Sequence, residues 1–362
     1  MEHQSICFVA PKAPPIGGIA TWFSIVLKSI EQKYDIYHIN SSVDVNEYSS
    51  ANRSRIKRFF YKFIRLSKNI SEAKRVFQNN RIDVLHIATS GGFGFFRDYK
   101  IAKIAKQHDI KVCIHLHFGR IPEILSNKSI ENYLLIKALK YCDSVICMDD
   151  STFMAMKQIF DKVYLVNNPI NLLETSDCIH SHEFSFVGTL NRNKGIYELL
   201  SVYDFLINNN EKFLMKLIGP IDDNEKKEIF EEISKHDPSK LIITGELSKE
   251  KVLQELKKSR FSILLSKTEG MPYSILESMS MGVPILSTDV GSIKKVVNGC
   301  GIVVNPKISI EELGKTITLL LHDDEIIAKY SKEAISKIRT QYSTDVVIQQ
   351  LSNIWFGGLT DE

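Results

Sequence analysis

The chain has 362 residues, a length that gives two domains with full cores. With 44% hydrophobic and 25% charged residues it has the composition of a soluble, globular protein, and no apolar run approaches the roughly 20 residues that cross a bilayer. The net charge of +3 is divided unevenly. Residues 1–168 carry 24 Lys and Arg against 15 Asp and Glu, whereas residues 169–362 carry 22 Lys and Arg against 28 Asp and Glu. This asymmetry predicts that the first half meets an anionic surface.

Strand-length apolar runs alternate with helix-length segments along the chain, a pattern typical of parallel sheets covered by helices on both faces. The runs form two series separated by Asn168 and Pro169, where the periodicity breaks. We therefore expect an α/β protein with two Rossmann-like domains, residues 1–168 and 169–334, followed by a C-terminal helix in residues 335–362. The predicted strands are 6–10, 35–39, 84–88, 112–116, 144–147, 163–166, 184–187, 214–218, 241–244, 261–265, 283–287 and 301–304.

The first apolar run, residues 6–10, has no basic region ahead of it and is shorter than the core of a signal peptide, so we interpret it as a strand of a cytoplasmic protein. The loop after it leads into a helix through Gly17 and Gly18. Ligands of open α/β sheets bind beyond the carboxyl ends of strands. Adjacent glycines at a helix start let a phosphate or a sugar approach the backbone N–H groups. A turn with a purely geometric role is the alternative.

Residues 53–68 contain seven cations and no acid, with apolar residues at helical spacing. This pattern predicts a helix that lies on an anionic membrane and contacts it through Arg55, Lys57, Arg58 and Lys62. A core helix with a solvated cationic face is the alternative. We expect no nucleic-acid partner, because no recognition module accompanies the basic residues and the second half of the chain is negative.

The predicted strand 112–116 leads directly into His117 and then Arg120. Alternation along the strand places His115 and His117 on one face. A strand-end histidine suits either a structural or a functional role, and Arg120 suits either a surface position or contact with an acceptor or a phosphate. The ten histidines do not cluster and the six cysteines show no paired spacing, so we expect neither a metal site nor disulfides.

The first strand of the second series is followed by a glycine-bracketed loop, residues 188–195, which carries Arg192 and Lys194. Two cations in this position can neutralise the charge that builds on a departing nucleoside diphosphate. A solvated basic turn is the alternative.

The most informative part of the chain is the stretch of residues 266–287. Glu269 lies on a turn after a predicted buried strand, and Glu277 lies about one turn into the helix that follows. A carboxylate accepts hydrogen bonds from sugar hydroxyls, whereas a diphosphate offers only acceptors and suits the N–H groups at a helix start. The stretch therefore predicts a nucleotide-sugar site.

Residues 269–291 resemble the retaining family-four glycosyltransferases, whose hallmark is a glutamate, seven residues and a second glutamate. The resemblance implies a GT-B fold, in which two Rossmann-like domains face each other across a cleft and the C-terminal helix crosses back to the N-terminal domain. This chain departs from the family at two positions. Thr189 stands where the family has an arginine, and Lys295 stands where many relatives have a glutamate.

The resemblance implies transfer of a sugar from a nucleoside diphosphate sugar, with UDP as the expected nucleotide, to a hydroxyl group with retention of configuration. It implies no cofactor and no metal. The catalytic residues that it implies are His117, Lys194, Arg192 and Glu269, with Arg192 in place of the missing family arginine. The donor-binding residues that it implies are Gly17, Gly18, Gly188, Thr189, Gly219, Gly245, Glu246, Gly270, Met271, Pro272, Tyr273 and Glu277.

The acceptor that we expect is a growing, lipid-linked surface glycan such as O-antigen, capsule or another exopolysaccharide. Such an acceptor would bring the protein to the anionic inner face of the cell membrane. Two other hypotheses remain open. The chain could be a non-catalytic nucleotide-sugar-binding subunit of a glycan synthase complex, or a nucleotide-sugar epimerase of the same fold, which would need additional acid/base carboxylates.

Overall fold

The computed structural model describes residues 4–12, 17–42, 55–173 and 182–357, without the side chains of residues 55–63. The chain divides into two compact units. The first unit consists of Met1–Pro169 together with Thr344–Glu362, and the second unit is Ile170–Ser343.

The first unit is built on a parallel sheet of six strands in the order β2-β1-β3-β4-β5-β6. Helices connect the strands, because parallel neighbours need a crossover. Strands β1 and β3 are buried along their whole length, as expected for a sheet covered on both faces. The elements are β1 (Ser5–Ala10), α1 (Gly18–Ile30), β2 (Asp35–Asn40), α2 (Arg55–Asn79), β3 (Val84–Thr89), α3 (Gly94–Lys106), β4 (Lys111–Leu116), α4 (Ile121–Ser126), α5 (Ile130–Leu139), β5 (Ser144–Cys147), α6 (Asp150–Lys157) and β6 (Val163–Leu165).

The second unit has a parallel sheet of six strands in the order β12-β11-β10-β7-β8-β9. The central strands β7 and β10 pack Phe184 against Phe261, whose rings stack 4.9 Å apart. The elements are β7 (Glu183–Val187), α7 (Ile196–Asn208), β8 (Leu214–Ile218), α8 (Lys226–Ile233), β9 (Leu241–Gly245), α9 (Lys249–Leu256), β10 (Phe261–Leu264), α10 (Tyr273–Ser280), β11 (Ile285–Thr288), α11 (Ile293–Val297), β12 (Gly301–Val304), α12 (Ile310–His322) and α13 (Asp324–Lys337), with 3₁₀ turns at Arg192–Lys194 and Pro238–Lys240.

The predicted α/β class with two Rossmann-like sheets is confirmed, and every predicted strand is observed with ends that differ by at most two residues. Short apolar runs bounded by turn residues predict such strands well, because a strand buried on both faces must be apolar along its length.

The C-terminal segment is less uniform than the predicted helix in residues 335–362. Helix α13 and the π turn Ile338–Tyr342 belong to the second unit, where Ala334, Ile338 and Tyr342 are buried in the core. The last helix, α14 (Thr344–Phe356), belongs to the first unit and packs against α1. No helix in the described part of the chain is both long enough and apolar enough to cross a membrane.

Candidate functional site

The second unit brings Lys194 and Glu269 into direct contact. The Lys194 ammonium forms an ion pair with Oε1 of Glu269, and the Ser266 hydroxyl donates a hydrogen bond of 2.6 Å to the same oxygen. The side chains of Lys194 and Glu269 are 27% and 10% exposed, so both remain within reach of a ligand. A carboxylate held by two donors has a fixed orientation, which suits the positioning of a substrate hydroxyl.

Gly195 explains how a residue before α7 reaches a residue after β10. Its φ of +79° is in the left-handed region, and a Cβ on it would lie 2.3 Å from the carbonyl oxygen of Leu265. Only glycine allows this approach of two backbones. A hydrogen bond of 2.8 Å from the Lys267 N–H to the Asn193 carbonyl joins the same segments. The turn that carries Lys194 is thereby fixed against the segment that carries Glu269.

Gly291 supports the Glu269 turn from the other side. Its φ is +57°, and a Cβ on it would lie 2.2 Å from the carbonyl oxygen of Glu269. The next residue, Ser292, donates two hydrogen bonds to the Gly270 carbonyl, of 3.0 Å from its N–H and 2.7 Å from its hydroxyl. The loop after β11 therefore supports the backbone of the turn that carries Glu269.

Gly291→Ala is expected to displace Glu269 as well as lower stability. A side chain in the left-handed region costs about 1–2 kcal/mol, and the overlap with the Glu269 carbonyl forces the turn to move. We expect a lower free energy of unfolding in urea and a loss of donor turnover. Gly299→Ala is the matched control, because Gly299 has a φ of +81° but nothing within 4 Å of the added Cβ. Equal turnover in the two variants would contradict the supporting role of Gly291.

Glu277 lies on α10 with its side chain 12% exposed and 3.3 Å from the Lys249 ammonium. Burial raises the pKa of the Glu277 carboxyl, and the neighbouring Lys249 acts in the opposite direction. Tyr273, one turn earlier on the same helix, has a buried hydroxyl that makes no hydrogen bond to any described residue. Burial also raises the pKa of this hydroxyl, and the Glu277 charge adds to the effect.

The N-terminus of α10 lies between the two glutamates, and no side chain in the described part of the chain caps it. Its N-cap residue is Pro272, and its first turn contains no acidic residue. The first N–H groups of a helix have no intrahelical acceptor and attract anions. The arrangement can therefore hold a phosphate group, with Gly270 and Met271 in the turn that precedes it.

The structure separates Arg192 from the ion pair that it is predicted to assist. Its guanidinium lies over the Tyr197 ring, 4.6 Å from the centroid, and 3.5 Å from the Glu228 carboxylate. The Arg192 side chain is 59% exposed. The two cations of the predicted clamp thus have different partners in this structure.

The predicted glycines at the strand ends of β7, β8 and β9 meet at one edge of the second sheet. The Gly188 N–H donates to the Ile218 carbonyl at 3.0 Å, and the Gly219 N–H donates to the Gly245 carbonyl at 3.0 Å. A Cβ on Gly219 would lie 2.1 Å from the Gly188 oxygen. Close backbone approach therefore accounts for Gly219 without a ligand. Of the neighbouring predicted residues, Thr189 is half-buried and Glu246 is exposed.

In the first unit, Gly17 and Gly18 lie at the start of α1 and line a cavity of about 710 Å³. Gly17 has extended backbone and no side chain of the described residues caps this helix, so the first N–H groups of α1 lack an intrahelical acceptor. Thr89 and Arg97 also line it, and Arg97 forms a buried ion pair of 2.7 Å with Asp98. The cavity has the size of a small-ligand site.

The histidines do cluster, so the interpretation from the sequence is wrong on this point. His115 near the end of β4 and His117 just after it have ring centroids 3.9 Å apart. The ring centroid of His86, on the neighbouring strand β3, lies 5.4 Å from that of His115. Trp22 of α1 contacts all three rings at 5.0–5.1 Å. We call these four residues the imidazole cluster. The sequence hides it because parallel pairing brings together strands that are distant along the chain.

Burial keeps the imidazole cluster uncharged. It lowers the pKa of His86 to about 3. Burial together with the nearby His86 lowers the pKa of His117 to about 3, and burial followed by the other two rings lowers the pKa of His115 well below its usual value. The three histidines are neutral in any buffer near pH 7. Within the described residues, no three His, Cys, Asp or Glu side chains are arranged to hold a metal ion.

Of the predicted acceptor and membrane residues, only Arg120 has a described side chain. Arg120 is exposed, 3.5 Å from Glu131 and over the Phe118 ring. The positions of Arg55, Lys57, Arg58 and Lys62 fall in helix α2, but their side chains lie outside the described residues.

Sequence reasoning missed three contributors to these sites. Ser266 could have been found, since it lies three residues before Glu269 at the end of a predicted strand. Lys249 carries no local signal, because only the sheet order brings the start of α9 to α10. The indole of Trp355 donates a hydrogen bond of 3.0 Å to Nδ1 of His86, a contact between residues 269 positions apart.

The chain is similar to known glycosyltransferases over most of its length. Residues 181–337 match the family model described as "Glycosyl transferases group 1". An uncharacterized glycosyltransferase of Methanocaldococcus jannaschii is 25% identical over 325 residues, which are 86% of this chain and 87% of the relative. TuaC of Bacillus subtilis, named as a teichuronic acid biosynthesis glycosyltransferase, is 25% identical over 158 residues, 43% of this chain and 37% of that protein.

Among solved structures, HepE of Anabaena in complex with UDP and glucose has a TM-score of 0.75 to this chain. The two chains are 15% identical, and the match covers 97% of this chain and 99% of HepE. At this level of identity the likeness shows the fold, which is GT-B.

Proposed function

We propose that this chain moves a sugar from a nucleoside diphosphate sugar, with UDP as the nucleotide, to a hydroxyl of a growing surface glycan. Its fold is GT-B, and residues 181–337 match the glycosyl transferases group 1. The observation that carries this proposal is the contact of Lys194 and Ser266 with Glu269, next to an uncapped helix N-terminus. An ammonium, an oriented carboxylate and free N–H groups are the groups that a sugar diphosphate requires.

The donor occupies the second unit in this proposal. The diphosphate lies at the N-terminus of α10, Glu277 accepts hydrogen bonds from the ribose hydroxyls, and Glu269 accepts one from the transferred sugar. The nearly complete burial of Glu277 supports a binding role, because a buried carboxylate gains most from two hydroxyl donors. HepE, which has the same fold, is known in complex with UDP and glucose.

The proposed transfer retains the configuration of the sugar. The bond between the anomeric carbon and the diphosphate oxygen breaks, and the acceptor oxygen forms its new bond on the same face. The acceptor proton passes to the departing diphosphate oxygen. Lys194 stabilises the negative charge on that leaving group, which is the contribution expected from a preorganised cation. The proposal requires no metal.

The first unit binds the acceptor in this proposal, with Gly17, Gly18 and Arg120 near it. The cavity of about 710 Å³ beside α1 supports this role. The acceptor that we favour is a lipid-linked glycan at the inner face of the membrane, since the first half of the chain is basic and TuaC is named for a wall glycan. Helix α2 then lies along the anionic surface.

Nucleotide sugars should raise the melting temperature of the protein by mass action. At a concentration of about 100 times Kd, one bound ligand adds about 2.7 kcal/mol of stability. We expect a shift with one UDP-sugar in a thermal-unfolding screen, and the shift should disappear in Glu277→Ala. Slow hydrolysis of the same donor without acceptor would distinguish an enzyme from a non-catalytic subunit. A screen in which no nucleotide sugar shifts the transition would contradict the proposed donor.

Charge reversal on α2 is expected to abolish membrane binding. A variant with Glu at positions 55, 57, 58 and 62 should stay at the bottom of a flotation gradient with anionic vesicles, because each basic residue near such a surface contributes about 1 kcal/mol. The control reverses four exposed lysines of the second unit, Lys226, Lys227, Lys251 and Lys329. Equal flotation of the α2 variant and the wild type would exclude the helix as the contact.

A further inference from the structure

The cavity beside α1 has two cations and no acid among the described residues that line it. The cations are Arg65 and Arg97. The Asp98 carboxylate, which pairs with Arg97 but is not a lining residue, offsets one of the two charges. Ser42 and Ser90 add hydroxyl groups to the lining. Guanidinium and hydroxyl groups donate hydrogen bonds to the oxygens of a phosphate or a carboxylate, so this lining suits an anion.

Arg97 is buried, but only part of its guanidinium is used by the protein. The residue is 7% exposed, and its Nε and Nη2 lie 2.8 Å and 2.7 Å from Oδ1 of Asp98. The Asp98 side chain is fully buried and fixes this edge of the guanidinium. Nη1 makes no hydrogen bond to any described residue. Because Arg97 lines the cavity, the edge formed by Nη1 and Nη2 is the one that a bound oxyanion can reach.

A structural role alone does not account for the pair of Arg97 and Asp98. Desolvation of two buried charges offsets much of their attraction, so a buried pair adds little net stability. An arginine held in one orientation at a cavity wall is, in contrast, preorganised for a ligand. Its planar fork matches an oxyanion, and little side-chain freedom remains to be lost when the oxyanion binds.

Gly94 leaves open the space beside this guanidinium. A Cβ on Gly94 would lie 3.9 Å from Nη2 of Arg97 and 3.7 Å from the hydroxyl oxygen of Thr89, which are ordinary contact distances. Gly94 is the first residue of α3, and its φ is outside the left-handed region. Alanine is a better helix former than glycine. The backbone therefore does not require glycine here, whereas a space kept for a ligand does.

We propose that this cavity binds an oxyanion of the acceptor, a phosphate or a carboxylate, through the Nη1 and Nη2 edge of Arg97. The acceptor is then a glycan with an acidic sugar or a glycan carried on a phosphate, and a neutral sugar alone is a poor substitute. Only the assignment to the acceptor rests on the proposed function. The anion site itself is a property of the first unit.

The binding test uses the full chain without a nucleotide sugar. Both tryptophans, Trp22 and Trp355, belong to the first unit, so their fluorescence follows the unfolding of that unit in urea. Inorganic phosphate, glucuronate and the neutral methyl glucoside are compared at one ionic strength. A ligand of the folded unit raises the urea midpoint by mass action. We expect a rise with at least one oxyanion and none with methyl glucoside. A rise with phosphate alone indicates a phosphate carrier, and a rise with glucuronate alone indicates an acidic sugar.

Variants separate this site from the general stabilising effect of phosphate on folded proteins. Arg97→Gln together with Asp98→Asn removes both charges, so no buried charge loses its partner. We expect this double variant to bind the oxyanion about tenfold more weakly, or worse, because charge-assisted hydrogen bonds are lost. Gly94→Ala keeps every charge and should also weaken binding, because its methyl group fills the space beside the guanidinium. Lys103→Gln, at an exposed position of α3, is the matched control.

An equal rise in midpoint for the wild type and the double variant would overturn the site, as would the absence of a rise with either oxyanion. Both results would do so even if the chain transfers a sugar.

UDP tests the assignment to the acceptor. In calorimetry, the variant with Arg97→Gln and Asp98→Asn should bind UDP with a Kd close to that of the wild type, because the donor lies in the second unit. A loss of UDP affinity as large as the loss of oxyanion affinity would overturn the assignment, since the cavity would then hold the donor diphosphate. If the wild type binds no UDP, the proposed function fails, and the oxyanion titration still decides the anion site.

Discussion

Glu269→Ala and Lys194→Ala are each expected to lower kcat for sugar transfer by about 10²–10³-fold or more while the fold remains intact. Removing one preorganised polar group from a transfer site typically has an effect of this size. In Glu269→Ala the transferred sugar loses the carboxylate that accepts its hydrogen bond, and the Lys194 ammonium loses the ion pair that orients it. In Lys194→Ala the charge on the leaving diphosphate is not neutralised, although Ser266 still holds Glu269.

The double variant should be little worse than either single variant, because residues in direct contact act as a unit and their effects are not additive. The measurement is kcat and kcat/KM with the donor identified by thermal shift, together with the urea unfolding midpoint of each variant. Lys267→Ala is the matched control, since Lys267 lies in the same loop but pairs with Glu198 at 3.1 Å. Near-normal turnover in both single variants would refute the assignment of the site.

The first unit is expected to lose stability steeply as the pH falls below 6.5. In the unfolded chain the histidines have pKa values near 6.5, whereas His86 and His117 have values of about 3 in the folded chain. The unfolded state therefore binds more protons between these values. The stability is complete above pH 6.5 and is lost as the pH falls towards 3. Each of these histidines contributes a slope of about 1.4 kcal/mol per pH unit, or about 2 kcal/mol at pH 5.

Both tryptophans of the chain, Trp22 and Trp355, lie in or beside the imidazole cluster, so their fluorescence reports the first unit alone. Urea titrations at several pH values between 5 and 8 give the slope. His115→Phe should reduce that slope by the contribution of one histidine, about 1.4 kcal/mol per pH unit. It removes a titrating ring that makes no hydrogen bond to the described residues. The control is His108→Gln at an exposed position. If His115→Phe and the wild type have the same slope, the imidazole cluster takes up no protons on unfolding.

The structure does not bring all the predicted site residues together. Glu269, Glu277 and Lys194 were predicted as site residues because each lies in a segment that follows a strand of a parallel sheet, and the carboxyl ends of such strands meet at one edge. The structure shows Lys194 in contact with Glu269. The role of Arg192 stays a prediction: it lies two residues from Lys194 in a short turn, and its guanidinium lies near Tyr197 and Glu228 in this structure. Spacing along a turn does not specify side-chain direction.

The sequence by itself determined the two parallel sheets and the position of every strand, since a strand buried on both faces requires a local apolar run that is visible without any partner. It also predicted a nucleotide-sugar site between Glu269 and Glu277. Only the tertiary structure decided which backbones meet at Gly195 and Gly291 and which histidines share one cluster. These contacts join residues that are distant along the chain, and their formation depends on strand order and helix packing, which no local pattern encodes.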